Sequence, residues 1–247
     1  MSTTLTPLPT MVQPVLNQAV AASTSETNGA PSAIANGPVL SPAAASPNGT
    51  PLHGATSAAD EFLDWTRIVF GRLSKRFDHA ATTDLLTWAV QTFGTGLSVG
   101  TSFGASGIVL MDLTLKINPD VDVFYIDTGY FFPETAQLMQ RLADHYQRNF
   151  RRVSTQVTIS AQEKRFGPKL YENDPDLCCH VRKVLPMTSA LVDSTAWVTA
   201  VRRDQAPSRH NTPLVQWSER HNVVKIAPLA AWAESDIWAY IEEHNLP

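Results

Sequence analysis

The sequence predicts an α/β fold, an open and mostly parallel sheet with helices on both faces, and three observations predict it. Short apolar runs at residues 97–99, 121–126, 153–159, 198–201 and 223–226 have the length and branched content of buried strands. Segments of helical period separate most of them, which is the βαβα alternation of a parallel sheet. Small and polar residues gather where strands stop, at 101–107, 127–129 and 202–205, and open parallel sheets bind ligands beyond the carboxyl ends of their strands.

Residues 1–57 are Ala, Pro, Ser, Thr, Asn and Gly with Glu26 as the only formal charge, and they are expected to be a disordered extension. Residues 58–247 read as one domain. Its first helix begins near Asp60, with Phe62, Leu63, Trp65, Ile68, Val69 and Leu73 on the apolar side. A second is capped by Thr82 or Thr83, carries Leu85, Leu86, Trp88, Ala89 and Phe93 as its stripe, and stops at 94–96.

A strand then breaks at Thr101-Ser102-Phe103-Gly104-Ala105-Ser106-Gly107 and resumes as a helix through Ile108, Val109, Met111, Asp112 and Leu115. Two readings of this turn stand on the residues alone. It suits a phosphate or sulfate cradle, because the first amides of a helix lack internal partners, Gly104 and Gly107 allow close approach, and Ser102 and Ser106 offer hydroxyls. It equally suits an ordinary strand-to-helix turn with Ser as the N-cap. A Walker loop is excluded, since no Lys follows a glycine there.

Asn118-Pro119-Asp120 predicts a turn, and the strand over 121–126 ends at Asp127, Thr128 and Gly129, which sheet geometry places beside the first turn. Pro133 opens a helix through about Tyr146, with Leu138, Leu142 and Ala143 inward. Strands at 153–159 and 198–201 follow. The second ends at Arg202 and Arg203, which suit either a solvated surface or a bidentate anion site. Residues 223–226 form the last strand, and Ser235 caps a helix carrying Ile237, Trp238, Tyr240 and Ile241.

The 247 residues are 43% hydrophobic, enough for one sizeable core, and a net charge of -4 argues against a general nucleic-acid binder. No run of about 18 apolar residues occurs, so no membrane span is expected. The two cysteines, Cys178 and Cys179, make no disulfide framework, and the start of the chain has no secretory or organelle-targeting pattern. A reducing, cytoplasmic location is expected. Adjacent cysteines suit half of an iron–sulfur site, with Arg182 and Lys183 in helical reach to offset its charge, or two buried structural thiols. Zinc with His180 or His210 matches none of the usual spacings.

Taken together, four segments resemble the assimilatory adenylyl-sulfate and phosphoadenylyl-sulfate reductases, of the adenine nucleotide hydrolase-like (PP-loop) fold. They are the turn at 101–107; Ile126-Asp127-Thr128-Gly129 with Phe132-Pro133-Glu134-Thr135; Cys178-Cys179-His180-Val181-Arg182-Lys183-Val184; and Trp197-Val198 through Arg202-Arg203-Asp204-Gln205-Ala206-Pro207-Ser208-Arg209. Ala227-Pro228-Leu229, Trp232, Asp236-Ile237-Trp238 and Asn245-Leu246-Pro247 fit as well. The resemblance covers the chain from about Asp60 onward.

What it implies is a reaction in which a cysteine thiolate attacks the sulfur of an activated sulfate, the adenosine phosphate leaves, and thioredoxin releases sulfite from the enzyme thiosulfonate. Ser102, Gly104 and Ser106 would hold the phosphosulfate; Asp127, Thr128 and Gly129 would border the nucleotide; Arg202 and Arg203 would offset charge on the leaving phosphate. Cys178 and Cys179 match the first two ligands of a [4Fe-4S] cluster, and Lys183 would couple cluster and substrate. The cysteine pair favours adenylyl sulfate over 3'-phosphoadenylyl sulfate. The family's second ligand pair and its nucleophilic cysteine are not among these residues, so a C-terminally truncated, inactive piece is expected and no catalytic residue is assigned. A nucleotide-binding remnant without catalysis is the non-enzymatic alternative. An ATP-dependent PP-loop adenylyl-transferring enzyme is another, although Phe103, Ala105 and the lack of an acidic residue in the turn speak against it. A homo-oligomer is compatible with all of these readings.

Overall fold

A computed structural model describes residues 58–247; the extension expected for 1–57 and the side chains of Phe62, Leu63 and Trp65 lie outside the described residues. The chain divides into compact units at Ile68 and Val69, and the sheet belongs to the second. Strands β1 (Leu97–Thr101), β2 (Asp122–Asp127), β3 (Arg151–Ser154), β4 (Ala196–Thr199), β5 (Val215–Ser218) and β6 (Val223–Ile226) form one sheet in the order β3-β2-β1-β4-β6-β5. Every pairing is parallel except that of β5 with β6. Strand order reverses at β1 and β4, and a crevice opens beyond their carboxyl ends, where such sheets bind ligands.

The helices are α1 (Ala58–Phe77), α2 (Thr82–Phe93), α3 (Ala105–Ile117), α4 (Pro133–Tyr146), α5 (Ile159–Phe166), α6 (Leu170–Asn173), α7 (Pro175–Cys179), α8 (Leu185–Ala190) and α9 (Glu234–Glu243). Ten consecutive residues of α3, Ser106 through Leu115, are buried, because α2 and α9 flank it and β1 lies beneath. The pleat sends Leu97 and Val99 to one face of β1 and Ser98 and Gly100 to the other. On that second face Phe124 packs with Ala190, Leu191 and Val223, and Ile126, Val153, Met187 and Trp197 complete the cluster. Among the described residues no helix is long and apolar enough to cross a membrane.

Several local expectations are corrected. The strand expected at 153–159 is β3 at Arg151–Ser154, an edge strand with mostly exposed residues, and Ile159 instead opens α5 behind a Thr158 cap that accepts the Ala161 N–H at 3.1 Å. The strand expected at 198–201 is shifted two residues earlier, to Ala196–Thr199, and β5 has no counterpart among the expected strands. None of Thr82, Thr83 and Ser235 is a cap: Ala81 and Ala233 hold those positions, and the Thr82 hydroxyl accepts the Trp232 indole N–H at 2.8 Å. Ile68 is 55% exposed, and the buried stripe of α1 beyond it is Phe70, Leu73 and Phe77.

Candidate functional site

The first turn of the site runs from β1 into α3. Its N-cap is Gly104, and no side chain caps the helix, so the reading with Ser as the cap is set aside and the first amides of α3 keep their outward direction. Phe103 holds φ at +59°, a left-handed conformation that costs a bulky residue about 1–2 kcal/mol. Its buried ring offsets this, packing on Tyr125 at 5.1 Å and Phe150 at 5.7 Å, and its N–H donates to the Thr101 hydroxyl at 3.1 Å. The turn is therefore held from below, leaving Ser102 and Gly104 exposed above.

Gly107 is needed for close approach. A Cβ there would lie 2.7 Å from Thr101 Oγ1, the same oxygen that holds the Phe103 amide. Gly107→Ala is expected to displace Thr101, to destabilise the fold by about 1–3 kcal/mol in urea unfolding, and to weaken anion binding at the turn. Unfolding unchanged within error would show that the turn tolerates the methyl group.

The crevice measures about 910 Å³ and is walled by the turn, by the ends of β2 and β4, and by the segment that follows the cysteines. Ser102, Gly104, Ser106, Thr128, Lys183 and Arg202 line it. Asp127, Gly129 and Arg203 do not appear on its walls among the described residues. Asp127 instead accepts the Gly129 N–H at 2.8 Å and pairs with Arg152 at 2.6 Å, which shapes the loop after β2. Arg203 turns away and donates to the Thr212 carbonyl at 2.9 Å, while its own N–H donates to the Ala230 carbonyl. Adjacent residues at a strand end thus divide, Arg202 inward and Arg203 into bracing of the neighbouring loop.

Arg202 is 6% exposed and ties three elements together. Its Nη1 donates to the Ser106 hydroxyl at the start of α3. Its Nε and Nη2 grip the Asp204 carboxylate at 2.9 and 3.1 Å. The Arg202 guanidinium holds the Asp204 carboxyl below the usual carboxylate range. Lys183 is exposed and has no ion pair among the described residues. Asp204, Arg209, Glu234, Trp197, Phe131 and Met187 also line the crevice without having been assigned roles from sequence. Arg209 was within sight, since it closes the same 202–209 segment.

Gly100 forms part of the floor, where a Cβ would stand 2.7 Å from Trp197 Nε1. The site holds three cations, Lys183, Arg202 and Arg209, against two carboxylates, Asp204 and Glu234. That balance suits an anionic ligand with an apolar portion.

Cys178 is buried at the end of α7 and Cys179 is exposed, and a π-helical turn at His180–Val184 follows them. The turn aims Arg182 inward, where it donates to Gln162 at 2.8 Å and to the Thr128 carbonyl at 3.2 Å, and Lys183 toward the crevice. Two thiols are half of the four-thiolate set of a cubane cluster, and no group of three or more His, Cys, Asp or Glu gathers among the described residues. The residues present therefore do not by themselves make up such a centre.

Comparison with known proteins bears on this geometry. A family model described as the phosphoadenosine phosphosulfate reductase domain matches residues 96–247. The adenosine 5'-phosphosulfate reductase of Salinibacter ruber is 38% identical over 191 residues, 77% of this chain and 76% of that protein. That of Halalkalibacterium halodurans is 40% identical over 165 residues, 66% and 71% of the two chains. The crystal structure of the phosphoadenylyl-sulfate reductase of Candida auris, in a phosphate complex, superposes with a TM-score of 0.63 at 30% identity, covering 78% of this chain and 91% of that one. From residue 96 onward the match takes in the turn, the cysteine pair and the arginine segment alike, and the chain belongs to the adenylyl-sulfate and phosphoadenylyl-sulfate reductase family of enzymes.

Proposed function

We propose that this chain binds adenylyl sulfate in the crevice and serves its reduction to sulfite and AMP in assimilatory sulfate reduction, with thioredoxin as the electron donor. The observation that carries the reading is the uncapped start of α3 with the buried Arg202 guanidinium on Ser106, opening into a crevice of about 910 Å³ at the sheet's switch point. The cradle residues Ser102, Gly104 and Ser106 take the phosphosulfate. Thr128 borders the nucleotide directly, while Asp127 and Gly129 shape its loop. Lys183 and Arg202 offset the charge that develops on the phosphate as the sulfur–oxygen bond breaks.

In the covalent step a cysteine thiolate that is not among these 247 residues attacks sulfur, and AMP departs with the bonding electron pair. The thioredoxin dithiol then releases sulfite and becomes a disulfide. Cys178 and Cys179 are assigned here as one half of an iron–sulfur ligand set, so neither is the nucleophile.

Calorimetric titration of the 247-residue chain tests the reading without requiring turnover. Adenylyl sulfate is expected to bind more tightly than ATP, and comparison with 3'-phosphoadenylyl sulfate decides which substrate form the crevice prefers. Tighter ATP binding with release of pyrophosphate would overturn the assignment in favour of adenylyl transfer.

A further inference from the structure

The loop after β2 carries Thr128 on the crevice wall, and the bonds that shape it do not anchor it. Asp127 accepts the Gly129 N–H and the Thr128 hydroxyl accepts the Tyr130 N–H at 3.3 Å, so both stay inside the loop. Two arginines attach it to the body of the fold. Arg152 reaches Asp127 from the edge strand β3 with 63% of its side chain exposed, and exposed ion pairs hold weakly. Arg182 is 4% exposed. Its Nη1 donates to the Thr128 carbonyl, its Nε donates to the Gln162 side chain on α5, and its guanidinium lies 5.4 Å from the centre of the Tyr130 ring. A buried, charge-assisted bond is the stronger attachment. Gly129 makes room for it: at φ +77°, a Cβ there would stand 3.4 Å from Arg182 Nη1 and 3.3 Å from Ile159 Cδ1 of α5.

Stability does not account for this guanidinium. Nη2 of Arg182 and Nε2 of the fully buried Gln162 have no acceptor among the described residues, and no carboxylate there pairs with Arg182. A buried charge with an idle donor costs more than an apolar side chain of the same volume would. What the guanidinium adds is a directed bond, and the backbone group it fixes belongs to a residue of the crevice wall. The π-helical turn at His180–Val184 aims it there, sending Arg182 to the loop and Lys183 to the crevice. We propose that Arg182 is a positioning residue for the nucleotide, fixing Thr128, and with it the crevice wall at the end of β2, against α5. The consequence is a link between the crevice and a helix that does not line it. Among the described residues no member of α5 is on the crevice walls, yet Gln162 and Thr128 share one guanidinium, so a ligand that steadies Thr128 also steadies α5.

The inference rests on the reading of the crevice as a nucleotide site, and the experiment separates the two. The unaltered 247-residue chain, Arg182→Met and Arg182→Lys are titrated with adenylyl sulfate by calorimetry, melted, and followed by amide hydrogen exchange with each chain saturated. In the unaltered chain adenylyl sulfate is expected to slow exchange at the amides of α5 by about fivefold, the lower end of ordinary coupling between sites. Arg182→Met is expected to melt within about 3 °C of the unaltered chain, because it removes an uncompensated buried charge along with two bonds. It should bind adenylyl sulfate about fivefold more weakly and lose the slowing at α5 even at saturation. Arg182→Lys keeps a donor for the Thr128 carbonyl and should fall between the two in affinity and in exchange. Affinity and melting temperature lost together would overturn the proposal and make Arg182 a brace of the fold. Unchanged affinity in Arg182→Met, slowing at α5 that survives in it, or a Lys variant no better than Met would also overturn it, as would binding by the unaltered chain without slowing at α5. Failure of the unaltered chain to bind adenylyl sulfate at all would overturn the functional reading itself.

Discussion

Arg202→Met is expected to lower the affinity of the chain for adenylyl sulfate by about 10- to 100-fold, the range set by loss of a charge-assisted contact to an anion in a partly enclosed site. Two changes act together. The guanidinium that stands on Ser106 is gone, and Asp204, freed from its partner, becomes a bare carboxylate facing the incoming phosphosulfate. The second change predicts a pattern that simple removal of a contact does not. Arg202→Met combined with Asp204→Asn should recover part of the lost affinity, because the crevice no longer holds an unpaired negative charge. Arg202→Lys should behave nearer to Met than to Arg, since one ammonium cannot hold Asp204 through two parallel bonds and Ser106 through a third. Calorimetry reads all of these, with melting temperatures to show that each variant folds. Arg202→Met binding as tightly as the unaltered chain would remove Arg202 from the site and with it the central observation of the functional reading.

How much of this site was legible in the sequence depends on whether a residue's direction follows from a periodic pattern. Strands β1, β2 and β6 have both faces covered, so they read as apolar runs, and their positions were visible. At the edges that signal fails. Strand β3 exposes its two arginines to solvent, and the apolar Val157 and Ile159, which drew the expected strand forward, belong to a loop and to α5. Strand β5, four residues with Gln216 and Ser218 alternating against Val215 and Trp217, pairs on one side only and carries too short a pattern to stand out. The phosphate turn was legible because glycines and serines at a strand end have few other uses there. The separation of Arg202 from Arg203 was not, since β4 stops at Thr199 and its alternation no longer governs residues three positions on. Asp204 was hidden for the same reason: its role follows from the guanidinium it touches, and that contact exists only once the chain has turned after β4.

The largest effect on stability is expected away from the crevice. Asp112, in the middle of α3, is 3% exposed and accepts three donors from three elements: the Tyr146 hydroxyl of α4 at 2.9 Å, the Tyr240 hydroxyl of α9 at 2.7 Å, and Lys116 of its own helix at 2.7 Å. Burial pushes its carboxyl upward, but the hydrogen bonds from Lys116, Tyr240 and Tyr146 outweigh that and hold it below the usual carboxylate range. Burial likewise pushes the Tyr146 hydroxyl well above its ordinary range, and the Asp112 charge adds to this, so the hydroxyl remains a donor throughout the working pH range. Asp112→Ala leaves two half-buried hydroxyls without their acceptor and opens a cavity, and is expected to cost about 2–4 kcal/mol in urea unfolding at neutral pH. Asp112→Asn keeps the shape and one acceptor oxygen and should cost about half as much. The pH dependence has a definite sign. A carboxyl depressed in the folded state contributes fully above its unfolded value, about 3.9, and that contribution is lost as pH falls through the lower folded value. Asp112→Asn should therefore flatten the acid limb of the stability curve below about pH 4. The network also bears on the site, because the helix that Tyr240 fastens begins at Glu234, which lines the crevice. A variant that loosens α9 should weaken nucleotide binding less than it weakens the fold, and equal losses in both would mean that the crevice and the Asp112 network open as a single unit.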